Sequence, residues 1–180
     1  MPVTLRKVTF SADRLAEVEK IDCGEEEWSR EAERWIKGIP GQCSDCALGV
    51  IELGTDVWLY KTEDGQLVGF GAVGPRDWRL PKPKDKPKRI STIPWVAIQK
   101  KFRKKPEGAS PGEWFSGQIL DDLINEARGH PEREPFVGLC VHPNNLAAIK
   151  VYERAGFAKL AKPYKEPVTG LIYDRMLLEL

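Results

Sequence analysis

The chain has 180 residues, 41% of them hydrophobic and 31% charged, and a formal net charge of +1. That length suits one domain, residues 1–180, with a full core, and the near-neutral balance gives no whole-molecule reason to expect a nucleic acid or a membrane surface as partner. The N-terminal stretch MPVTLRKVTF lacks the apolar core of a signal peptide, and runs such as IPWVAI fall far short of a bilayer span, so the four cysteines read as reduced thiols in a cytoplasmic protein.

Residues 3–9 alternate apolar and polar side chains and predict a half-buried strand. Ser11 is a candidate N-cap for a first helix with Leu15, Val18 and Ile21 at helical spacing. Trp28, Ala32, Trp35 and Ile36 predict a second helix, closed by Gly38 and Pro40. The runs VWLY and LVGFGAV predict a hairpin whose connection holds Asp64 and Gly65. The stretch RDWRLPKPKDKPKR that follows predicts an exposed loop outside the sheet, because its prolines cannot donate to a ladder. ISTIPWVAIQ predicts the next strand, interrupted or bulged at Pro94.

Residues 100–116 are basic, then rich in Gly and Pro, and predict a long loop. Ile119, Leu120, Leu123, Ile124 and Ala127 form the apolar stripe of a long helix. FVGLCV predicts a buried strand, VHPNNLAAIKVYERAGF a helix, and GFAKL and LIYDRMLLEL two final strands. The order β-α-α-β-β-β-α-β-α-β-β describes one α/β domain with a mixed, mostly antiparallel sheet of about seven strands and helices on both faces.

Helix rules account for the ends of VHPNNLAAIKVYERAGF: Asn144 or Asn145 caps the first turn, and Gly156 takes the left-handed conformation past the last. They leave Tyr152 and the second asparagine unexplained. The element order and this stretch together resemble the GNAT acetyltransferase superfamily. Its signature V-x-P-x-N-x-x-A-x-x-(L/V)-Y-E-x-x-G-F is met by Val141, Pro143, Asn145, Ala148, Val151, Tyr152, Glu153, Gly156 and Phe157.

The resemblance implies that acetyl-CoA is the cosubstrate and that acetyl passes to a primary amine by direct attack. It implies Tyr152 as the general acid at the thioester sulfur and Asn145 as a contact to the pantetheine arm, seven residues away and so on the same helix face. Val96, Ala97 and Ile98 are implied to offer backbone groups to the pantetheine amides. The family's pyrophosphate motif, (R/Q)-x-x-G-x-(G/A) opening the long helix, is met only in part. Phe102 and Arg103 match the approach from the strand, whereas Gly117 matches the final small position and Phe115 stands where glycine is expected. Both anchors hold if residues 106–115 are largely an insertion. Ser116, Gly117 and the run Arg103, Lys104 and Lys105 would then meet the phosphates, with Lys100 and Lys101 beside them.

Cys43 and Cys46 form a C-x-x-C, but structural zinc takes four ligands and only Cys23 and distant Cys140 remain, so no metal is expected. Cys140 and His142 stand two apart at a strand end; Cys140 reads as a small core residue and His142 as an exposed one, not as a nucleophilic pair. Glu25, Glu26, Glu27 and Glu31 are candidates for a general base at the second helix, where the helix dipole also favours acids. The expected partners are acetyl-CoA and an amine acceptor, a small molecule or a protein or peptide, with a second copy of the chain as a further candidate; neither membrane nor nucleic acid is expected. Two alternatives remain: a GNAT-fold binding module whose insertion fills the cofactor groove, and a toxin-like acetyltransferase acting on aminoacyl-tRNA.

Overall fold

A computed structural model describes residues 4–39, 45–80, 86–104, 114–167 and 170–180. Its strands are β1 (Arg6–Thr9), β2 (Asp56–Lys61), β3 (Leu67–Trp78), β4 (Lys88–Ile93), β5 (Val96–Ile98), β6 (Glu134–Val141), β7 (Ala158–Lys159), β8 (Tyr164–Lys165) and β9 (Ile172–Glu179). Its helices are α1 (Leu15–Val18), α2 (Glu27–Lys37), α3 (Ala47–Ile51), α4 (Phe115–Arg128) and α5 (Leu146–Arg154), with 3-10 turns at Ala12–Arg14 and Lys100–Phe102.

The chain forms two compact units, each from two stretches: Met1–Ala72 with Trp95–Asp122, and Val73–Pro94 with Leu123–Leu180. In the first, the strand order is β1-β2-β3, with β5 also on β3. Trp35 of α2 stacks on Phe70 of β3 at 5.9 Å and on Trp95 at 5.8 Å, in a core that also holds Phe10, Ile36, Leu48 and Leu59. In the second, the order is β3-β4-β6-β9-β7, with β8 on β9. β4 and β6 run parallel and the other described registers are antiparallel. A parallel pair needs a crossover connection, and α4 lies in it.

The mixed sheet with seven strands on its main path matches the expectation, and the short β5 and β8 lie off that path. The stripe of α4 is also as read: Ile119, Leu120, Leu123, Ile124 and Ala127 are all buried. Several elements differ. The stretch expected as a loop from Arg76 onward begins as strand: Asp77 pairs with Arg89 and Trp78 with Lys88. The ladder runs on because its prolines fall at 81, 83 and 87, after β3 has ended and before β4 begins. The first helix is shorter than expected, a 3-10 turn and four α-helical residues, and Ser11 makes no capping bond; Ile21 is buried beyond its end. α3 was not expected. Val3, Pro40, Cys43 and most of the Lys/Pro stretch at 81–85 lie outside the described residues.

Candidate active site

Pro94 shapes the first part. Gly74 pairs with Thr92 and Gly71 with Val96, so residues 72–73 on one strand oppose residues 93–95 on the other. That extra residue is a β-bulge at a proline, as the sequence predicts. Beyond it, β5 bonds to β3 through Ala72 N–H to Trp95 O at 2.9 Å and Gln99 N–H to Val68 O at 2.8 Å. Alternation along an antiparallel pair then directs the Ala97 backbone toward β3 and the N–H and C=O groups of Val96 and Ile98 away from it. No described strand pairs with that outer edge. Ile98 O accepts from Arg103 Nε at 3.3 Å, and among the described residues Val96 N–H, Val96 C=O and Ile98 N–H have no partner. Gly69 permits the close approach of β5, since a Cβ there would lie 2.2 Å from Ala97 O.

The basic run at the end of β5 divides. Arg103 is engaged by protein: Nη1 donates to the Glu26 carboxylate at 3.2 and 3.3 Å, and Nη2 donates to Ser29 Oγ at 2.8 Å and to Cys23 O. Lys100 pairs with Glu25 at 3.8 Å, and Lys101 donates to Gln66 Oε1 at 3.0 Å. Lys104 is exposed, and Lys105 lies outside the described residues. Phe102 and Phe115 meet edge to face at 5.6 Å; residues 105–113 are not described. Gln118 N–H donates to Trp114 O at 3.0 Å and is the first helical bond of α4. The N–H groups of Phe115, Ser116 and Gly117 therefore have no acceptor within the helix, the usual condition for an anion site.

In the second unit, β6 pairs with β4 only as far as Leu139, and Cys140 and Val141 have β9 alone as neighbour. Asn145 follows and caps α5: its Oδ1 accepts the Ala148 N–H at 3.2 Å, and its Nδ2 has no described partner. Gly156, at φ +95°, ends the helix, with Phe157 N–H bonded to Tyr152 O. Tyr152 is the residue α5 buries, its ring 6.0 Å from that of Phe157. Burial pushes its phenol well above the ordinary tyrosine pKa, so it stays protonated at neutral pH. No described residue hydrogen-bonds its hydroxyl.

Cys140 corrects its reading as a core residue. It is exposed, because the inward–outward alternation of β6 resumes at its end. Desolvation by the surrounding strands nevertheless pushes its thiol up to about 11, against the pull of Arg175 and Arg76. His142 does not act on it; its Nδ1 accepts the Asn144 N–H at 3.2 Å. Cys23 is fully buried and its thiol is pushed up to about 12 by burial and by Glu33. Among the described residues no group of three His, Cys, Asp or Glu side chains is placed to hold a metal ion. Of the candidate bases, Glu26 is held below the usual carboxylate pKa, first by its own backbone N–H and then by Ser29 and Arg103. That is the wrong direction for a base poised near neutrality.

What the sequence did not reveal is the Arg103, Glu26 and Ser29 cluster. Ser29, Glu26 and Cys23 lie 74, 77 and 80 residues before Arg103, and no local pattern marks such a contact.

No family model matches the chain and no curated protein matches it. Solved structures match nearly all of it. An acetyltransferase of the GNAT family from Staphylococcus aureus Mu50 is 16% identical with a TM-score of 0.60, covering 98% of this chain and 99% of that one. A spermidine N-acetyltransferase from Vibrio cholerae, in complex with CoA and spermine, is 13% identical with a TM-score of 0.58, covering 97% and 95%. The AtaT mutant toxin, bound to the C-terminus of the antitoxin AtaR and acetyl-CoA, is 11% identical with a TM-score of 0.63, covering 97% and 92%. The fold of this chain is the GNAT acetyltransferase fold.

Proposed function

We propose that residues 1–180 act as one acetyltransferase domain that moves acetyl from acetyl-CoA to a primary amine. The observation that carries this reading is the outer edge of β5, where among the described residues Val96 and Ile98 leave backbone donors and an acceptor unpaired beside a proline bulge. Pantetheine is a chain of amides, and such an edge is what extends a ladder onto it. Solved neighbours that hold CoA or acetyl-CoA support the same ligand. Ser116, Gly117 and Lys104 are proposed to meet the pyrophosphate, and Asn145 Nδ2 the pantetheine arm.

In the reaction, the amine nitrogen attacks the thioester carbonyl, the C–N bond forms, and the C–S bond breaks to release CoA thiolate. The proton lost by the amine leaves to water, and the thiolate takes one up. Tyr152 has its proton available and its hydroxyl without a partner among the described residues, which suits donation to the developing sulfur charge. Its raised pKa exceeds that of a free thiol, so a hydrogen bond that strengthens as C–S breaks helps more than complete transfer does. Thiol release from acetyl-CoA, followed with a panel of polyamines, small amines and peptides, tests this. An amine-dependent release, lost on omission of the amine, is expected; hydrolysis alone would oppose it.

One second reading has support. A bacterial toxin is 16% identical with a TM-score of 0.65, covering 98% of this chain and 91% of that one, and AtaT is also a toxin. Acetylation of aminoacyl-tRNA would need a phosphate-binding surface, so salt-dependent tRNA binding separates that acceptor from a small amine.

A further inference from the structure

The contacts of Arg103 carry an inference that rests on acetyl-CoA as the cosubstrate. All three of its nitrogens donate to protein, and apart from Ile98 O every acceptor belongs to the turn that opens α2 or to its first helical turn. The same turn is held twice more: Lys100 N–H donates to Asp22 O at 2.8 Å, and Cys23 N–H donates to Glu33 Oε1 at 2.6 Å. Gly24 sits inside this cluster at φ +104°, and a Cβ there would lie 2.5 Å from Glu26 Oε2 and 3.2 Å from Arg103 Nη1. The backbone angle calls for glycine there, and an added Cβ would displace the Glu26 carboxylate from its place against Arg103. A guanidinium has five N–H groups in a fixed fork, and here the fork faces the 22–29 segment with its remaining arm on Ile98 O.

We infer that Arg103 is a positioning residue that staples the opening of α2 to the end of β5, and so fixes the strand edge that pantetheine meets, instead of acting as a ligand of the pyrophosphate. Ile98 joins the staple to the strand edge. Its C=O is tied to Arg103 on the same outer edge where its N–H is free. Loss of the guanidinium would release that residue and loosen the 22–29 segment, leaving the Lys100 N–H to Asp22 O bond to tie it to the end of β5.

The test compares two ligands, acetyl-CoA and S-acetylpantetheine, which lacks the phosphates. A phosphate ligand matters to the first alone, whereas a staple on the strand edge matters to both. Arg103→Ala should weaken both about tenfold, with their ratio unchanged within about threefold, since a 1.4 kcal/mol loss is tenfold. Arg103→Lys should restore little, because an ammonium cannot reproduce the fork. Glu26→Gln keeps Arg103 and guards against a variant that fails to fold; it should weaken both ligands in the same direction but less. Loss of acetyl-CoA binding with S-acetylpantetheine unaffected would overturn the inference and make Arg103 a phosphate ligand. Hydrogen exchange without ligand is the independent arm. The hydrogen-bonded amides of Cys23, Gly24, Ser29 and Lys100 should exchange at least tenfold faster in Arg103→Ala, and unchanged protection would overturn the staple. If the natural chain binds neither ligand, the acetyltransferase reading fails, and the exchange result still decides the staple.

Discussion

Tyr152 is buried, protonated and without a described hydrogen-bond partner at its hydroxyl. Tyr152→Phe keeps the ring and its packing on Phe157, so stability should change by about 1 kcal/mol or less while acetyl transfer falls about 100- to 10,000-fold. Single-turnover transfer and melting temperature on one preparation check this; full activity in the variant would leave Tyr152 a packing residue. Glu26 makes a prediction of pH dependence. Its folded pKa is depressed, so its contribution is present above the unfolded pKa of about 4.3 and is lost as pH falls through the folded value. The gap in melting temperature between the natural chain and Glu26→Gln should therefore be largest near pH 6 and close as pH falls toward 3. A gap that is constant with pH would show that the substitution acts by packing and not through the charge.

At the scale of elements, β5 is three residues long and depends on how closely β3 lets it approach. Gly69→Ala places a Cβ 2.2 Å from Ala97 O, a backbone atom that cannot rotate away. The expected cost is about 1–3 kcal/mol, as for overpacking elsewhere, together with loss of acetyl-CoA affinity as the edge at Val96 and Ile98 shifts. Chemical denaturation and a binding titration check the two parts; an unaffected affinity would remove β5 from the cofactor site. Periodicity made α4 legible because its apolar stripe, Ile119 to Ala127, recurs over successive turns of a 14-residue helix, whereas α3 has five residues and shows no period. The far end of β3 reads as loop because the prolines at 81, 83 and 87 colour the whole stretch, yet Arg76, Asp77 and Trp78 precede them and pair with β4. In the site, the cap at Asn145 and the bulge at Pro94 are local chemistry and were readable. Arg103 was readable only as a positive charge, since acceptors that lie across the sequence decide what it does.

At the scale of the whole molecule, the chain passes between its two compact units three times, at 72–73, 94–95 and 122–123, and β3 and α4 each contribute residues to both. Among the described residues no helix is long and apolar enough to cross a membrane. The proposal of one acetyltransferase domain predicts a single heat-absorption peak on unfolding, seen at one temperature by calorimetry and by circular dichroism. Raising acetyl-CoA in the same calorimetric experiment tests the central claim. A ligand that binds the native state adds RT ln(1 + [L]/Kd), about 2.7 kcal/mol at 100 times Kd. The peak should move upward with acetyl-CoA and with CoA, continue to climb with concentration, and stay in place with ATP or NAD. A melting temperature unmoved by millimolar acetyl-CoA would rule out acetyl-CoA as the cosubstrate.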